Sequence, residues 1–275
     1  MRTALALTLI LMTSPPHAVQ PAAVEDLCAQ AGRLRDQARY REAEALLRRA
    51  LKLAETCGVW NELGVLYKSM GRFDEAEQVY HRAVALAGPD DAVMATLYHN
   101  LGGLEHARGR YAAGEPFARR AVAIREKLLG PGHPEVAADL AALAPLLDAQ
   151  GKRQEAEALM IRALGILERT YGPDHYEVAV TLNNLAALRY AEGNRVEALR
   201  LYGRALAIKE KRLGPDHPDV ATTLNNMAVL QKAQGDRREA ARLYGRALGI
   251  FEKSLGPQHP KTVACRANYA RLLPR

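Results

Sequence analysis

Four histidines recur along the chain at a fixed step and are the first candidates for metal chemistry. They are His133, His175, His217 and His259, 42 residues apart. A metal ion lies only about 2 Å from each imidazole nitrogen that binds it. Repeats stacked one helix pair apart could not bring several of these side chains to one ion. Three of the histidines precede a proline, which is typical of a helix start. We therefore expect the histidines beside helix N-caps, with no metal and no cofactor.

Recurring charged residues are the second candidates for chemistry. The glutamates Glu155, Glu197 and Glu239 have no second carboxylate at the spacing that acid–base catalysis needs. The recurring arginines are Arg82, Arg120, Arg162, Arg204 and Arg246. Such a ladder can bind an acidic polymer, but we expect it to point outward as a solvated face. No phosphate-binding glycine loop, paired-cysteine metal site, haem motif or Ser/His/Asp cluster stands out. The chain is therefore predicted not to be an enzyme.

All these residues belong to one repeating unit. Residues 182–193 return 42 residues later as residues 224–235. Gly-Pro pairs begin at 88, 130, 172, 214 and 256, and a glycine marks mid-unit at 109, 151, 193 and 235. A small residue keeps the same step at Ala121, Ala163, Ala205 and Ala247. A period of this length predicts a solenoid of stacked helical hairpins. The composition, 48% hydrophobic but only 5% aromatic, suits closely packed helices.

The unit resembles the tetratricopeptide repeat. The signature offsets of that repeat are occupied by Trp60, Leu63, Gly64, Tyr67, Ala76, Tyr80 and Ala83. The 42-residue form, with Gly-Pro-Asp-His-Pro at 214–218 and Leu-Asn-Asn-Met at 224–227, closely resembles the repeats of kinesin light chains and their bacterial relatives. The resemblance implies an all-α, right-handed superhelix, or α-solenoid. We place its units at 24–56, 57–88, 89–130, 131–172, 173–214 and 215–256, with a closing helix at 258–273.

The asparagines in the first helix of each unit are the candidate binding residues. They are Asn183, Asn184, Asn225 and Asn226, with Asn100 and Asn268 in the register of Asn184 and Asn226. Asparagine has poor helix propensity, and its amide both donates and accepts hydrogen bonds. The resemblance implies that first helices line the concave surface and that these amides hold the backbone of an extended peptide. Specificity would come from the neighbours Tyr190, Lys232, His99 and His106. The alternative is that the asparagines bond between adjacent first helices and stiffen the array.

The unit at 131–172 departs from the pattern. Its first helix reads Leu-Ala-Ala-Leu-Ala-Pro at 140–145, without asparagines and with Pro145 inside the predicted helix. Proline removes a backbone donor and clashes with the preceding turn, at a cost of about 3 kcal/mol in a helix interior. We expect a kink or local break at Pro145.

The N-terminus predicts export. Arg2, an apolar run over residues 3–12 and a helix-breaking Ser-Pro-Pro indicate a signal peptide and short linker over residues 1–23. The apolar run is too short for a membrane span, which needs about 20 residues. We therefore expect no stable membrane span after cleavage, and a periplasmic or secreted protein. In an oxidising compartment Cys28 and Cys57, at neighbouring ends of a helical hairpin, are predicted to form a disulfide. Alternatively they are two small buried thiols.

The favoured function is a non-enzymatic scaffold that binds a protein or peptide ligand in the concave groove. A self-assembling, homo-oligomeric envelope scaffold is the alternative, and an enzyme acting on an envelope polymer is a weaker one. The net charge of +7 is spread along the chain. Together with predicted export and few aromatic residues, this spread argues against a nucleic-acid partner.

Overall fold

The computed structural model describes residues 21–88 and 91–272. These residues form α-helices without any strand. The helices are α1 (Pro21–Asp36), α2 (Tyr40–Leu53), α3 (Cys57–Ser69), α4 (Phe73–Leu86), α5 (Ala92–Ala107), α6 (Tyr111–Leu129), α7 (Pro134–Asp148), α8 (Arg153–Tyr171), α9 (Tyr176–Ala191), α10 (Arg195–Leu213), α11 (Pro218–Gln234), α12 (Arg237–Leu255) and α13 (Pro260–Ala270). The predicted signal peptide up to residue 20, Pro89 and Leu273 lie outside the described residues. Within the described ranges, no helix is both long and apolar enough to cross a bilayer.

Consecutive helices pack as hairpins, and the hairpins stack in chain order. The six pairs run from α1/α2 to α11/α12, and α13 closes the stack against α12. Each odd-numbered helix from α1 to α9 also packs against the next odd-numbered helix, whereas no two even-numbered helices of the described chain pack closely together. The odd helices therefore form the inner row of a curved stack. The predicted all-α solenoid is confirmed.

Small residues set the distance between helices. Ala76 and Ala83 are completely buried, as are the equivalent alanines of the later units. A Cβ atom on Gly64 would collide with the ring of Tyr80, which is itself fully buried and cannot move aside. Gly71 follows the end of α3 with a φ of 73°, a left-handed conformation that favours glycine.

The extra residues of the 42-residue units lengthen the second helix. The second helices α6, α8, α10 and α12 have 19 residues, whereas α2 and α4 have 14. The added turn of α8 carries Glu168, which accepts a hydrogen bond of 2.6 Å from Arg204 of the next unit. The same guanidinium reaches the carbonyl oxygen of Pro173 at 3.2 Å. Arg162 and Arg246 make the same pair of contacts one unit away on either side.

The predicted arginine ladder is thus occupied within the chain. Its last three arginines donate hydrogen bonds to the proline carbonyl in the Gly-Pro loop of the preceding unit. Earlier in the array, Arg82 and Arg120 lie over the rings of Trp60 and Tyr98, each at 5.1 Å from the ring centroid. The last three arginines therefore bind the preceding repeat, whereas Arg82 and Arg120 contact aromatic rings of their own repeat. All five are less available to an acidic polymer than unpaired arginines would be.

The recurring histidines are the N-caps of the first helices. His133, His175, His217 and His259 each accept the backbone N–H two residues later through Nδ1, at 3.1–3.3 Å. Proline occupies the first turn of α7, α11 and α13. Among the described residues, no group of three or more His, Cys, Asp or Glu side chains is placed to hold a metal ion. The structure gives these histidines a structural role.

Acid is expected to weaken the cap of α13. Burial, and then the charge of Lys261, lower the pKa of the His259 imidazole. The stability that His259 contributes is therefore complete above the unfolded pKa of about 6.5 and is lost as the pH falls through the lower folded pKa. His259→Asn keeps a cap acceptor that does not titrate. Urea unfolding at about pH 8 and about pH 5 should show the smaller acid loss in this variant, by less than about 1 kcal/mol after solvent screening. Equal losses in both proteins would contradict this role.

Of the kink or local break expected at Pro145, the break is wrong, whereas the kink stays a prediction. Helix α7 continues through Pro145 to Asp148, and the carbonyl oxygen of Pro145 accepts the N–H of Ala149 at 3.1 Å. The proline lacks one backbone donor, so the helix loses a single backbone hydrogen bond there. Leu146 and Leu147 just beyond it are fully buried. Their packing holds the end of the helix against the proline's local cost.

Candidate functional site

Two pairs of asparagines link adjacent helices of the inner row. The Asn226 amide on α11 donates to Oδ1 of Asn183 on α9 at 3.5 Å. The Asn100 amide on α5 donates to Oδ1 of Asn61 on α3 at 2.7 Å. Asn183 is also only 9% exposed. These contacts support the alternative that we kept open: in both pairs the asparagine amides bond between first helices.

Asn61 was missed by the sequence analysis. The unit that contains it is shorter than 42 residues, so a search at the 42-residue step passes over it. It lies three residues before Gly64, as Asn183 lies three residues before Ala186. Alignment on this small residue, where the two helices of a unit cross, would have found it.

Asn225 and Asn268, the last pair equivalent to Asn183 and Asn226, are not bonded to each other. Asn225 donates to Oδ1 of Asn226 at 3.5 Å, and the Oδ1 atom of Asn225 is buried without a hydrogen bond. Asn268 on α13 is half-buried, and its side chain makes no hydrogen bond within the described chain. The structure therefore does not extend the pairing to the closing helix.

The pattern is interrupted at α7, where alanines replace both asparagines. His99 on α5 takes the place equivalent to Asn183 and bonds Asp139 on α7, with Nδ1 2.7 Å from Oδ1. On the other side of α7, Asn184 of α9 faces the position of Ala141. Ala141 has no polar side-chain atom, and the Asn184 amide makes no hydrogen bond within residues 21–88 and 91–272. Asn184 is therefore the half-buried asparagine whose usual partner is missing.

Two cavities meet at Asn184. The first has a volume of about 450 Å³ and lies between the first halves of α7 and α9. Its apolar lining comes from Ala138, Ala141, Ala142, Leu167, Tyr171 and Val180. The second, of about 320 Å³, follows the last turns of the same helices and is lined by His106, Pro145, Asp148, Ala187 and Leu188. We call the two together the α7–α9 groove.

The length of the α7–α9 groove fits a short extended segment. It follows α9 from Glu177 to Leu188. Eleven helical steps of about 1.5 Å span about 16 Å. An extended chain rises about 3.3 Å per residue, so the groove accommodates about five residues.

Charged and titratable residues lie at both ends of the α7–α9 groove. Glu135 and Glu177 lie at the mouth formed by the first turns of α7 and α9. At the opposite end, burial and then the charge of Lys68 lower the pKa of the His106 imidazole. Burial and then the charge of Arg35 lower the pKa of the Lys68 ammonium. Arg35, Lys68 and His106 occupy the last turns of α1, α3 and α5. Acidic groups balance them, because Asp148 lines the second cavity and Arg35 is paired with Asp36 and Glu62.

Of the four residues predicted to give specificity, only one lines the α7–α9 groove. His106 lines the second cavity, whereas His99 is engaged by Asp139. Tyr190 is half-buried and packs against the central core. Lys232 is half-buried on α11, outside the α7–α9 groove. The structure therefore brings His106 and Asn184 together and leaves Tyr190 and Lys232 apart from them.

Cys28 and Cys57, which were predicted to pair, are free thiols in the structure. Cys28 lies on α1 and Cys57 begins α3, and both are half-buried. Burial and then the charge of Glu62 raise the pKa of the Cys28 thiol, which disfavours the thiolate that forms disulfides. The pairing stays a prediction for oxidising conditions, and mass spectrometry of non-reduced peptides would detect it. Cys265, the third cysteine, is buried in the last core cluster.

Comparison with known proteins identifies the repeats. A tetratricopeptide repeat model matches residues 93–168, 146–211 and 177–253, which together span more than half of the chain. Two further tetratricopeptide repeat models match residues 57–90 and 31–57. A search of curated proteins found no match.

Two solved structures with similar folds share about a quarter of their residues with this chain. BtubC (BKLC) from P. vanneervenii is 26% identical, with a TM-score of 0.59, and the match covers 86% of this chain and 94% of that one. A kinesin light chain protein of Podosopora anserina with nearly identical TPR-like repeats is 27% identical, with a TM-score of 0.57, covering 71% and 94%.

PilF of Pseudomonas aeruginosa shares the fold at lower identity. It is 20% identical, with a TM-score of 0.54, and the match covers 90% of this chain and 98% of PilF. At this identity the similarity supports the fold alone. The repeat models span residues 31–253 with short gaps, and the solved structures repeat the same hairpin stack. The chain belongs to the tetratricopeptide repeat family, and its repeats are similar to those of kinesin light chain proteins.

Proposed function

We propose that this protein is a non-enzymatic interaction module that binds an extended peptide or partner segment in the α7–α9 groove. The observation that carries the proposal is the Asn184 amide. Its equivalent Asn226 is bonded to a neighbouring helix, whereas Asn184 lies unpaired where two cavities meet. Asn184 is half-buried at the edge of both cavities, so its unused donor and acceptor are open to the backbone of a bound peptide.

The chemistry of the α7–α9 groove suits an extended backbone. A carboxamide donates one hydrogen bond and accepts another, which matches the C=O and N–H groups of a peptide. Such bonds tolerate many sequences, while the alanines around Asn184 leave space for the ligand's side chains. The combined volume lies within the range of small ligand sites, about 300–1,000 Å³. The tetratricopeptide repeat fold itself suggests a scaffold for protein–protein interaction.

We further propose that the protein acts outside the cytoplasm, in the periplasm or beyond the cell. This part rests on the N-terminal sequence, with its basic residue, short apolar run and proline-containing linker. N-terminal sequencing of the mature protein would detect removal of a segment ending between residues 18 and 23. An intact Met1 would contradict export by this route.

Filling the groove is expected to abolish peptide binding. Ala142 lines the first cavity, so Ala142→Phe should occupy the space that a ligand needs. Peptides of about eight residues would be selected from a random display library on the parent protein, and their affinities measured by fluorescence polarisation. We expect Ala142→Phe to weaken the selected peptides at least about tenfold, or 1.4 kcal/mol.

The matched control is Ala123→Phe, an exposed alanine on the second helix α6. It adds the same side chain away from the α7–α9 groove and should bind the peptides as the parent does. Unchanged binding to Ala142→Phe would show that the groove is the wrong site. A library that yields no binder to the parent would contradict the proposed function itself.

A further inference from the structure

We infer that the segment bound in the α7–α9 groove carries an apolar side chain next to a basic residue. The apolar side chain enters the alanine-lined cavity, and the basic residue meets Glu177 at its mouth. This inference rests on the proposed function and adds the class of ligand to it.

The apolar half follows from the lining of the first cavity. Ala138, Ala141 and Ala142 on α7 face Val180 on α9 across a space of about 450 Å³. In the following pair of first helices, Asn183 and Asn226 bond to each other in the space that corresponds to this one. Ala141 stands where the next repeat has Asn183, and its smaller, apolar side chain leaves the cavity larger and less polar. A lining of this kind favours an apolar side chain, because burial removes apolar surface from water on both sides.

Tyr171, at the edge of the first cavity, also favours an apolar side chain on the ligand. Tyr171, the last residue of α8, is 44% exposed at the edge of the first cavity and stacks on His175 with 4.4 Å between ring centroids. Leu167, one turn earlier on α8, is buried beneath it. A large exposed aromatic ring over an apolar floor offers contact area to an aliphatic or aromatic side chain of the partner.

The basic half follows from the charges at the mouth. Glu135 is paired with Arg125, which also pairs with Asp139 at 2.6 Å. The Glu177 carboxylate is exposed and makes neither an ion pair nor a hydrogen bond with any described residue. No cation of the described chain neutralises it, so the mouth presents net negative charge to a partner. A lysine or arginine of the ligand complements it.

The unpaired Glu177 carboxylate sets the position of the basic residue along the segment. Glu177 and Asn184 are seven residues apart on α9, about 10 Å along the helix. An extended ligand covers that distance in about three residues. The basic residue therefore lies about three positions from the backbone unit that Asn184 binds, with the apolar side chain between them.

Matched peptides test both halves of the inference. One selected binder is synthesised in three forms: an apolar residue with lysine, the same apolar residue with glutamate, and serine with lysine. We expect the first form to bind the parent protein at least about tenfold more tightly than either of the others. Glu177→Lys should reverse the preference between lysine and glutamate. Glu25→Lys, which makes the same charge change on the exposed surface of α1, should leave the preference unchanged.

The outcomes separate this inference from the proposed function. Equal binding of the lysine and glutamate forms, or of the apolar and serine forms, would overturn the inference. The proposed function would survive that result as long as Ala142→Phe still weakens every form. If Ala142→Phe has no effect on any form, the proposed function fails and the inference fails with it.

Discussion

Replacing Arg125 by alanine is expected to lower the free energy of unfolding by about 3–5 kcal/mol. Arg125 is 8% exposed and Asp139 only 1%, and their Nε and Oδ2 atoms lie 2.6 Å apart. The guanidinium also donates to Thr96 at 2.9 Å and pairs with Glu135. Without it the buried Asp139 carboxylate retains only the His99 ring as a partner in the described chain. An uncompensated buried charge is the source of the expected loss.

The next repeat supplies a matched control for this prediction. Leu167 and Thr181 stand 42 residues after Arg125 and Asp139, and both are buried. Converting the pair by Arg125→Leu with Asp139→Thr removes both charges together, which is often neutral or stabilising. Urea unfolding should therefore find the double variant more stable than Arg125→Ala. If the double variant is equally unstable, the loss comes from packing and the ion-pair explanation is wrong.

The fold was predictable from sequence because its information is local and repeated. A 42-residue step, glycines at helix ends and small residues at helix crossings all appear in the chain without any long-range reasoning. Gly64 is an example: it has no side chain, and the Tyr80 ring occupies the space where a Cβ atom would lie. The expected break at Pro145 does not occur, because burial of the following leucines offsets the local cost of the proline. That burial depends on the neighbouring helices and could not be inferred from the local sequence.

The candidate site was only partly predictable, because it depends on how neighbouring repeats meet. Asn183 and Asn184 are adjacent in sequence and were equal candidates. The structure gives Asn183 a partner on α11, whereas the partner position of Asn184 on α7 is occupied by Ala141. The sequence shows that α7 lacks these asparagines. It does not show that this lack leaves Asn184 on α9 without a partner. A side chain's availability is thus set by a residue one repeat away.

Restoring the missing partner tests the central claim that Asn184 is free for a ligand. Ala141 and Asn184 are the 42-residue equivalents of Asn183 and Asn226, which bond to each other. Ala141→Asn should therefore let Asn184 bond within the chain. Such a bond contributes about 0.5–1.5 kcal/mol, reduced by the helix propensity that alanine loses to asparagine. Ala123→Asn, on the exposed face of α6, measures that propensity cost alone.

The decisive measurement is the affinity of the selected peptides for Ala141→Asn compared with Ala123→Asn. A ligand would have to break the new bond, so we predict a loss of affinity of about five- to tenfold, since tenfold corresponds to 1.4 kcal/mol. We also predict that Ala141→Asn is more stable to urea than Ala123→Asn. Peptide affinity equal in the two variants, with this gain in stability present, would show that Asn184 does not hold the ligand.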